Sequence, residues 1–228
     1  MYRNSLFTDR VEAGRLLAAR LKESALTRPI VYALPRGGVP VAAEVAAALG
    51  APLDLVLVRK IGAPMQPEFA IGAVVDGDEP ETVLNASAVR MTGASKEYID
   101  TVRDRELAEI ERRRLAYLGG RKRPDPAGRD VVVVDDGIAT GATATAAIHA
   151  LKRRGAGRVI LAVPVAPPDT IQAMRKEADQ VVCLEQPEHF QSIGQWYLDF
   201  HQLEDDEVIR LLDAAARPIS QAAKKTGG

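Results

Sequence analysis

The chain has 228 residues, of which 46% are hydrophobic and 27% are charged, and its formal net charge is −1. That length fits one large α/β domain with an appendage, or two small domains. The near-neutral charge argues against a dedicated nucleic-acid binder, because such proteins usually carry a basic excess. We therefore expect no nucleic-acid partner.

The cysteine content and the apolar segments indicate a cytoplasmic protein. The single cysteine, Cys183, excludes an internal disulfide and fits a reducing compartment. Because Cys183 lies in an apolar run, we interpret it as a small core residue rather than a nucleophile. No apolar segment reaches the length of a membrane span, and polar residues interrupt the amino terminus where a signal peptide would be apolar. We expect no membrane partner.

Strand patterns and helix patterns alternate along the chain. Asp9 and Glu12 resemble a capping box ahead of a helix that runs to about Lys22. Pro40 suits the first position of an alanine-rich helix that stops at Gly50. Short apolar runs predict strands at 30–34, 53–58, 69–75, 131–134, 159–163 and 181–184, with 82–84 a pairing partner for 69–75. The remaining predicted helices are 95–118, 143–154, 169–178 and 205–216.

The predicted fold class is α/β, with a mostly parallel sheet flanked by helices. Most of the strands are apolar runs with little polar alternation, which is typical of strands covered on both faces. Ligands in such sheets bind at the carboxyl ends of the strands. Three candidate site loops leave such ends, at 35–39, 59–64 and 135–143.

The stretch from Val131 to Thr143 carries the strongest functional signal. Four valines form a strand, two aspartates follow, and a loop of small and hydroxylated residues leads into a helix. The first N–H groups of a helix have no intrahelical partners and, with the helix dipole, favour an anion such as a terminal phosphate. The residues predicted to hold this phosphate are Ala139, Thr140, Gly141, Ala142 and Thr143.

Asp135 and Asp136 are suited to two neighbouring hydroxyl groups, because adjacent side chains start in different directions. The alternative is an acidic helix cap at the end of a strand. A metal pocket like that of receiver domains is disfavoured, because this pair comes late in the chain and no strand-end lysine follows it. The segment therefore predicts a ligand that has both a ribose and a phosphate.

These thirteen residues resemble the signature of the type I phosphoribosyltransferases, which use 5-phosphoribosyl 1-pyrophosphate (PRPP). The apolar run, the acidic pair and the Ala-Thr-Gly-x-Thr ending match, while Gly137 stands where the family usually has an aliphatic residue. The order of loops fits the family over roughly residues 30–185. The chain as a whole is similar to an uncharacterised branch of predicted phosphoribosyltransferases, in which 192–197 and 199–200 also fit.

The resemblance implies roles for two further loops. Arg36, Gly37 and Gly38 would bind pyrophosphate, and the basic pair Arg59 and Lys60 would lie on a hairpin that covers it. Cations aimed at the departing pyrophosphate lower the barrier. The alternatives are a glycine turn with a solvated arginine and an exposed basic pair.

The resemblance also divides the chain. One domain is expected over residues 1–218, with a core at about 28–185, a helical insertion at about 94–120 and a hood at about 186–218, followed by a flexible tail at 219–228. Trp196 and Tyr197, with Phe190 and Phe200, would form a hood that stacks on an aromatic base. The alternative is a small satellite core under the last helix.

Several charged and histidine residues have structural interpretations. We interpret the runs 112–114 and 121–123 as solvated charge on a helix face, although they could reach the phosphate of a neighbouring subunit. His149 is interpreted as structural, and no zinc-ligand spacing is present.

The implied activity is transfer of the phosphoribosyl group of PRPP to a nitrogenous acceptor. Asp135 and Asp136 would hold the ribose hydroxyls, and Mg²⁺ would be held through the substrate rather than by direct protein ligands. Arg36, Arg59 and Lys60 would assist departure of pyrophosphate. Ala139 stands where 6-oxopurine enzymes of the family carry an aspartate, which disfavours hypoxanthine and guanine and leaves adenine open. A regulatory protein that binds PRPP, a phosphoribosyl hydrolase and a homodimer also remain open.

Overall fold

The computed structural model describes residues 6–77 and 80–216. Its strands fall into two sheets. A parallel sheet contains β1 (Ile30–Ala33), β2 (Leu53–Leu55), β6 (Asp130–Val134), β7 (Arg158–Val165) and β8 (Gln180–Glu185), and an antiparallel sheet contains β3 (Val58–Ala63), β4 (Gln66–Val75) and β5 (Glu81–Leu84). The parallel sheet has the order β2-β1-β6-β7-β8, so the two strands that precede the glycine loop and the acidic pair are neighbours.

Helices cover both faces of the parallel sheet. Alternate residues of the strands point to opposite sides, so Val132 packs in one apolar cluster with Leu17 and Val41, whereas Val133 packs in another with Ile148. The helices are α1 (Arg10–Leu21), α2 (Gly38–Leu49), α3 (Ala86–Thr92), α4 (Lys96–Leu118), α5 (Ala142–Arg153), α6 (Pro168–Glu177) and α7 (Asp205–Ala216). This arrangement confirms the predicted α/β class with a mostly parallel sheet.

The predicted loop 59–64 is wrong in its conformation, because residues 59–63 lie in strand β3 and only Pro64 lies in the turn that follows. The chain leaves β2 and immediately pairs with β4, in register from Val58 opposite Val75 to Lys60 opposite Ala73. Ile61 and Ala63 are buried on one side of this strand. The segment therefore has the alternating burial of a strand, although it begins with two basic residues. The predicted pairing of 82–84 with 69–75 is confirmed by β5.

Other boundaries differ by a few residues. Helix α2 begins at Gly38 rather than at Pro40, and α3 was not predicted although Asn85 caps it and Gly93 ends it. In the described residues, no helix is both long and apolar enough to cross a membrane. The predicted tail 219–228 lies outside the described residues, and the division into core, insertion and hood stays a prediction.

The charged segments have mixed structural roles. On α4, Glu109 binds both Arg112 and Arg113, as expected of a solvated helix face. The run 121–123 was interpreted as solvated charge, and Arg123 contradicts this, because its side chain is buried and binds Asp76 and Asp54. It connects the loop before β6 to Asp54 within β2 and to Asp76 directly after β4, which is a structural role that needs no neighbouring subunit.

Candidate active site

The glycine loop and the acidic pair meet because β1 and β6 are parallel neighbours. A side chain at Gly37 would overlap the carboxylate of Asp136, and a Cβ atom at Gly38 would lie 2.6 Å from the main-chain oxygen of Val134. The Pro35–Arg36 peptide bond is cis. Only residues without a side chain allow this approach, so the two predicted site loops form one surface at the carboxyl edge of the sheet.

The two aspartates of the pair have different surroundings. Asp136 is 6% exposed, and its Oδ2 accepts a hydrogen bond from Nε of Arg10 at 2.8 Å. Asp135 is half-buried, and its Oδ1 accepts from the main-chain N–H of Asp136 at 2.9 Å. Within residues 6–77 and 80–216, no cation pairs with Asp135. Asp135 therefore offers the more available carboxylate oxygen.

Burial and mutual repulsion govern the charge of this pair. Burial, together with the negative charge of Asp136, raises the pKa of Asp135 well above its ordinary value. Burial also raises the pKa of Asp136, and the Arg10 guanidinium opposes that shift. Asp135 is thus a carboxylate whose charge is costly until a ligand donates hydrogen bonds to it.

Sequence reasoning missed Arg10. This residue occupies the first turn of α1 on the same stripe as Ala13, Leu17 and Leu21, which are buried against the core. A charged residue on an apolar helix stripe requires a partner, and that was the available signal. The partner, Asp136, lies 126 positions away, so only the tertiary structure identifies it.

The loop 139–143 presents unpaired main-chain donors at the start of α5. Gly141 adopts a φ of +75°, and a Cβ atom there would lie 2.9 Å from Cε of Met174. The main-chain oxygen of Ala139 accepts a hydrogen bond from Thr170 at 2.5 Å, which fixes the loop against α6. In the described part of the chain, the N–H groups of residues 139–143 donate to no protein acceptor. Helix-start donors of this kind can bind an anion, and the assignment of this loop to a phosphate stays a prediction.

The glycine loop at residues 35–39 carries one accessible cation, Arg36. Nη1 of Arg36 lies 3.6 Å from Oδ1 of Asp205 at the start of α7, and the side chain of Arg36 is 31% exposed. Oδ1 of Asp205 also accepts a hydrogen bond from the hydroxyl of Tyr117 at 2.6 Å. A cavity of about 360 Å³ adjoins Arg36, Gly37 and Asp136. The loop therefore has room for an anion beside its arginine.

Arg59 and Lys60 are separated by the strand that carries them. Nε of Arg59 lies 2.7 Å from Oε2 of Glu106 on α4. Lys60 instead lines a cleft of about 370 Å³ between the hairpin and α5, together with Ala142 and Thr143. The two cations do not converge on one pyrophosphate here, and Lys60 lies on the side of the predicted 5′-phosphate loop.

Of the two aromatic residues predicted to form the hood, Tyr197 is buried and Trp196 is partly exposed. Tyr197 is 4% exposed, and its hydroxyl donates to the main-chain oxygen of Asp136 at 2.6 Å. Its ring packs on Phe7 and Phe200. Tyr197 thus belongs to a satellite core, as the alternative interpretation held, although that core lies beside α1 and β7 rather than under α7. Trp196 is half-buried and stacks on Phe190, with ring centres 6.2 Å apart.

Two further interpretations can be compared with the structure. Nε2 of His149 lies 2.6 Å from Oε2 of Glu177, which fits the structural role expected for His149. Cys183 packs against an apolar cluster but is half-buried rather than fully buried, since β8 lies at the edge of the sheet.

The donor set at the acidic pair suits Mg²⁺ only with help from a ligand. Among the described residues, no group of three or more potential metal ligands comes together. Mg²⁺ prefers oxygen ligands and commonly takes them from one or two carboxylates, substrate phosphates and water. The acidic pair supplies only part of such a ligand set, so these residues fit a magnesium ion that arrives with a phosphorylated substrate and is held mainly through it.

Comparison with known proteins identifies the family. A family model described as "Phosphoribosyl transferase domain" matches residues 7–201. A Mycobacterium tuberculosis protein named as a putative phosphoribosyl transferase is 48% identical over 217 residues, which cover 95% of this chain and 48% of that protein. The chain therefore spans about half the length of this relative.

Two other similarities differ in extent. A uracil phosphoribosyltransferase of Caldanaerobacter subterraneus is 47% identical over 57 residues, which cover 25% of this chain and 27% of that protein. The crystal structure of TT1426 from Thermus thermophilus has a TM-score of 0.81 and 44% identity, and the match covers 92% of this chain and 99% of that chain. With the family model covering most of its length, the chain belongs to the phosphoribosyl transferase domain family.

Proposed function

We propose that this protein transfers the 5-phosphoribosyl group of PRPP to a nitrogenous acceptor and releases pyrophosphate. The observation that carries the proposal is that Asp135, directly after β6, is followed within a few residues by the N–H groups of residues 139–143, which have no protein acceptor in the described part of the chain. A carboxylate accepts hydrogen bonds from sugar hydroxyls, and helix-start N–H groups bind phosphate. A ribose 5-phosphate moiety satisfies both at once.

The 5′-phosphate would lie on the main-chain donors of residues 139–143, with Asp135 of the acidic pair holding the ribose hydroxyls. Lys60 lines the cleft beside Thr143, so we propose that its ammonium group approaches the 5′-phosphate. This differs from the role in pyrophosphate binding that the family resemblance implied for Lys60.

Pyrophosphate would bind at residues 36–38, where Arg36 is the accessible cation. An arginine fork matches two phosphate oxygens, and the absence of side chains at Gly37 and Gly38 permits main-chain approach. Arg59 was predicted for the same role. Because Glu106 holds it against α4, we propose that Arg59 orients the hairpin instead.

Catalysis would consist mainly of positioning and charge neutralisation. Asp135, oriented by Asp136, holds the sugar, and Arg36 stabilises the negative charge that develops on pyrophosphate as it leaves the anomeric carbon. A Mg²⁺ ion held through the substrate beside the acidic pair would supply positive charge that neutralises the pyrophosphate. The acceptor nitrogen then attacks the anomeric carbon from the opposite side.

The site constrains the acceptor less than it constrains the phosphoribosyl donor. Tyr197 is buried, so among the two hood residues predicted to stack on a base, Trp196 is the one we retain. Ala139 is exposed at the start of the phosphate loop and offers no side-chain base, which continues to disfavour 6-oxopurines. The cytoplasmic location, a homodimer and the absence of nucleic-acid and membrane partners stay predictions.

The test is pyrophosphate release from PRPP and Mg²⁺ with purines, pyrimidines and small amines as acceptors. We expect release with at least one acceptor, and we expect Asp135→Asn to lower the rate at least about 100-fold, as misplacing a substrate group does. Glu109→Gln, on the solvated face of α4, serves as the matched acidic control. Binding of PRPP without release across the whole panel would favour a regulatory protein, and release with water alone would favour a hydrolase.

A further inference from the structure

A buried guanidinium group joins three parts of the chain at the acidic pair. Arg10 lies at the start of α1, and its Nη1 donates to the main-chain oxygen of His201 at 2.9 Å. Its Cζ atom lies 3.8 Å from the centre of the Phe200 ring. The side chains of Arg10 and Asp136 are each 8% exposed. Because desolvation offsets much of the attraction in a buried ion pair, stability alone does not explain this placement.

Asp136 is fixed from three directions. Arg10 holds its carboxylate, and the hydroxyl of Tyr197 donates to its main-chain oxygen at 2.6 Å. Its own N–H donates to Oδ1 of Asp135 at 2.9 Å. Position and rotation of the Asp135 carboxylate therefore depend on Asp136, and within the described chain Oδ2 of Asp135 has no protein donor.

We infer that Arg10 is a positioning residue, which fixes Asp136 so that the free oxygen of Asp135 meets the ribose hydroxyls. Asp135 makes the sugar contact, whereas Asp136 and Arg10 act through it. Arg10 also binds His201 and Phe200 in the hood segment. The hood segment and α1 therefore both help to orient Asp135 toward the ribose hydroxyls. This inference rests on the proposed function, because it concerns how the same site recognises its sugar.

The experiment compares ribose 5-phosphate with 2-deoxyribose 5-phosphate by calorimetry on the full chain. The ratio of the two affinities isolates the hydroxyl contact, whereas a purely structural defect weakens both ligands alike. Arg10→Gln is the test variant. Arg15→Gln is its matched control, because Arg15 lies on the same helix and pairs with Glu44 at the surface. Tyr197→Phe removes the hydroxyl that donates to the main-chain oxygen of Asp136 and keeps the ring. This variant tests the positioning of Asp136 if Arg10→Gln does not fold.

We expect the wild type to prefer ribose 5-phosphate about 10-fold, as hydrogen bonds to charged groups allow. Arg10→Gln should bring this ratio close to one, and Tyr197→Phe should lower it about threefold, the size of one neutral hydrogen bond. Arg10→Lys should restore it in part, since lysine keeps the charge but not the fork. Arg15→Gln should keep the wild-type ratio.

The inference is wrong, and the proposed function stays intact, if folded Arg10→Gln keeps the wild-type ratio of the two sugar affinities. If Arg10→Gln does not fold, the same conclusion follows from a wild-type ratio in Tyr197→Phe. The same holds if the wild type binds PRPP with Mg²⁺ but does not distinguish the two sugars. If the wild type binds neither PRPP with Mg²⁺ nor ribose 5-phosphate, the proposed function is wrong, and the inference falls with it.

Discussion

Arg59 and Lys60 are adjacent in sequence but face different helices: Arg59 pairs with Glu106 on α4, and Lys60 lines a cleft beside Thr143 on α5. A strand alternates its side chains between two faces, so neighbours on β3 cannot serve one small anion together. The basic pair therefore divides into a structural residue and a candidate ligand residue.

This division predicts different effects for the two cations. Lys60→Gln should weaken binding of ribose 5-phosphate and of PRPP by the same factor, about 10-fold, because the lost contact would be to the 5′-phosphate common to both. Calorimetry with both ligands measures the two factors. A loss confined to PRPP would instead place Lys60 at pyrophosphate. Arg59→Gln is the matched comparison and should change ligand binding less than Lys60→Gln.

Gly37 should tolerate no side chain. In Gly37→Ala, the new methyl group would overlap the Asp136 carboxylate, so the pyrophosphate loop and the acidic pair must separate. We expect PRPP affinity to fall about 100-fold, as displacement of site groups by roughly 1 Å does.

The control for Gly37 is Gly50→Ala at the end of α2. Gly50 has a φ of +60° with open space around it, so alanine there strains the backbone away from the site. Thermal unfolding should show a lower midpoint for Gly50→Ala, while PRPP affinity stays at the wild-type value. Equal affinity losses in both variants would contradict a site-specific role for Gly37.

Arg123 should govern stability rather than binding. Its side chain and those of Asp54 and Asp76 are almost fully buried, so Arg123→Met leaves two carboxylates without their cation. We expect a loss of about 3–5 kcal/mol in the free energy of unfolding, measured with urea. Arg121→Met is the control, since Arg121 pairs with Asp213 at the surface and should cost less than about 1 kcal/mol.

The stability of Arg123→Met should also depend on pH. Burial raises the pKa of Asp54 and of Asp76, and loss of the arginine removes a charge that opposes this rise. The folded protein then binds protons that the unfolded chain, with a pKa of about 3.9, has already released. Stability should therefore fall as the pH rises from about 4 through the raised folded pKa values. Urea unfolding of Arg123→Met at pH 5 and pH 8 checks this, and equal losses at both would contradict it.

Cys183 should be unreactive in the folded protein. Burial raises the pKa of its thiol to about 12, so the reactive thiolate is scarce near neutrality. With a disulfide reagent at pH 8, we expect slow modification of the native protein and prompt modification in denaturant. Fast reaction of the folded protein would revive a role for Cys183 as a nucleophile.

Local patterns determined the class of fold and the location of the site. Four consecutive valines, two aspartates and a small-residue loop fix a buried strand, an acidic end and a helix start, because each depends on neighbours only a few positions away. Parallel pairing then places the loops after β1 and β6 side by side. The Arg59–Lys60 segment was misread because its charges suggested a loop, whereas Ile61 and Ala63 carry the strand alternation.

Tertiary structure decided which of these residues are free to act. Asp135 and Asp136 are equivalent by sequence, yet Arg10 and Tyr197, from opposite ends of the chain, engage only Asp136. The sequence suggests that Tyr197 stacks on a base, whereas the structure shows its ring packed against Phe7. The sequence by itself thus specified the chemistry available at the sheet edge. Partner choice depends on contacts between residues more than 60 positions apart, and only the folded chain brings those residues together.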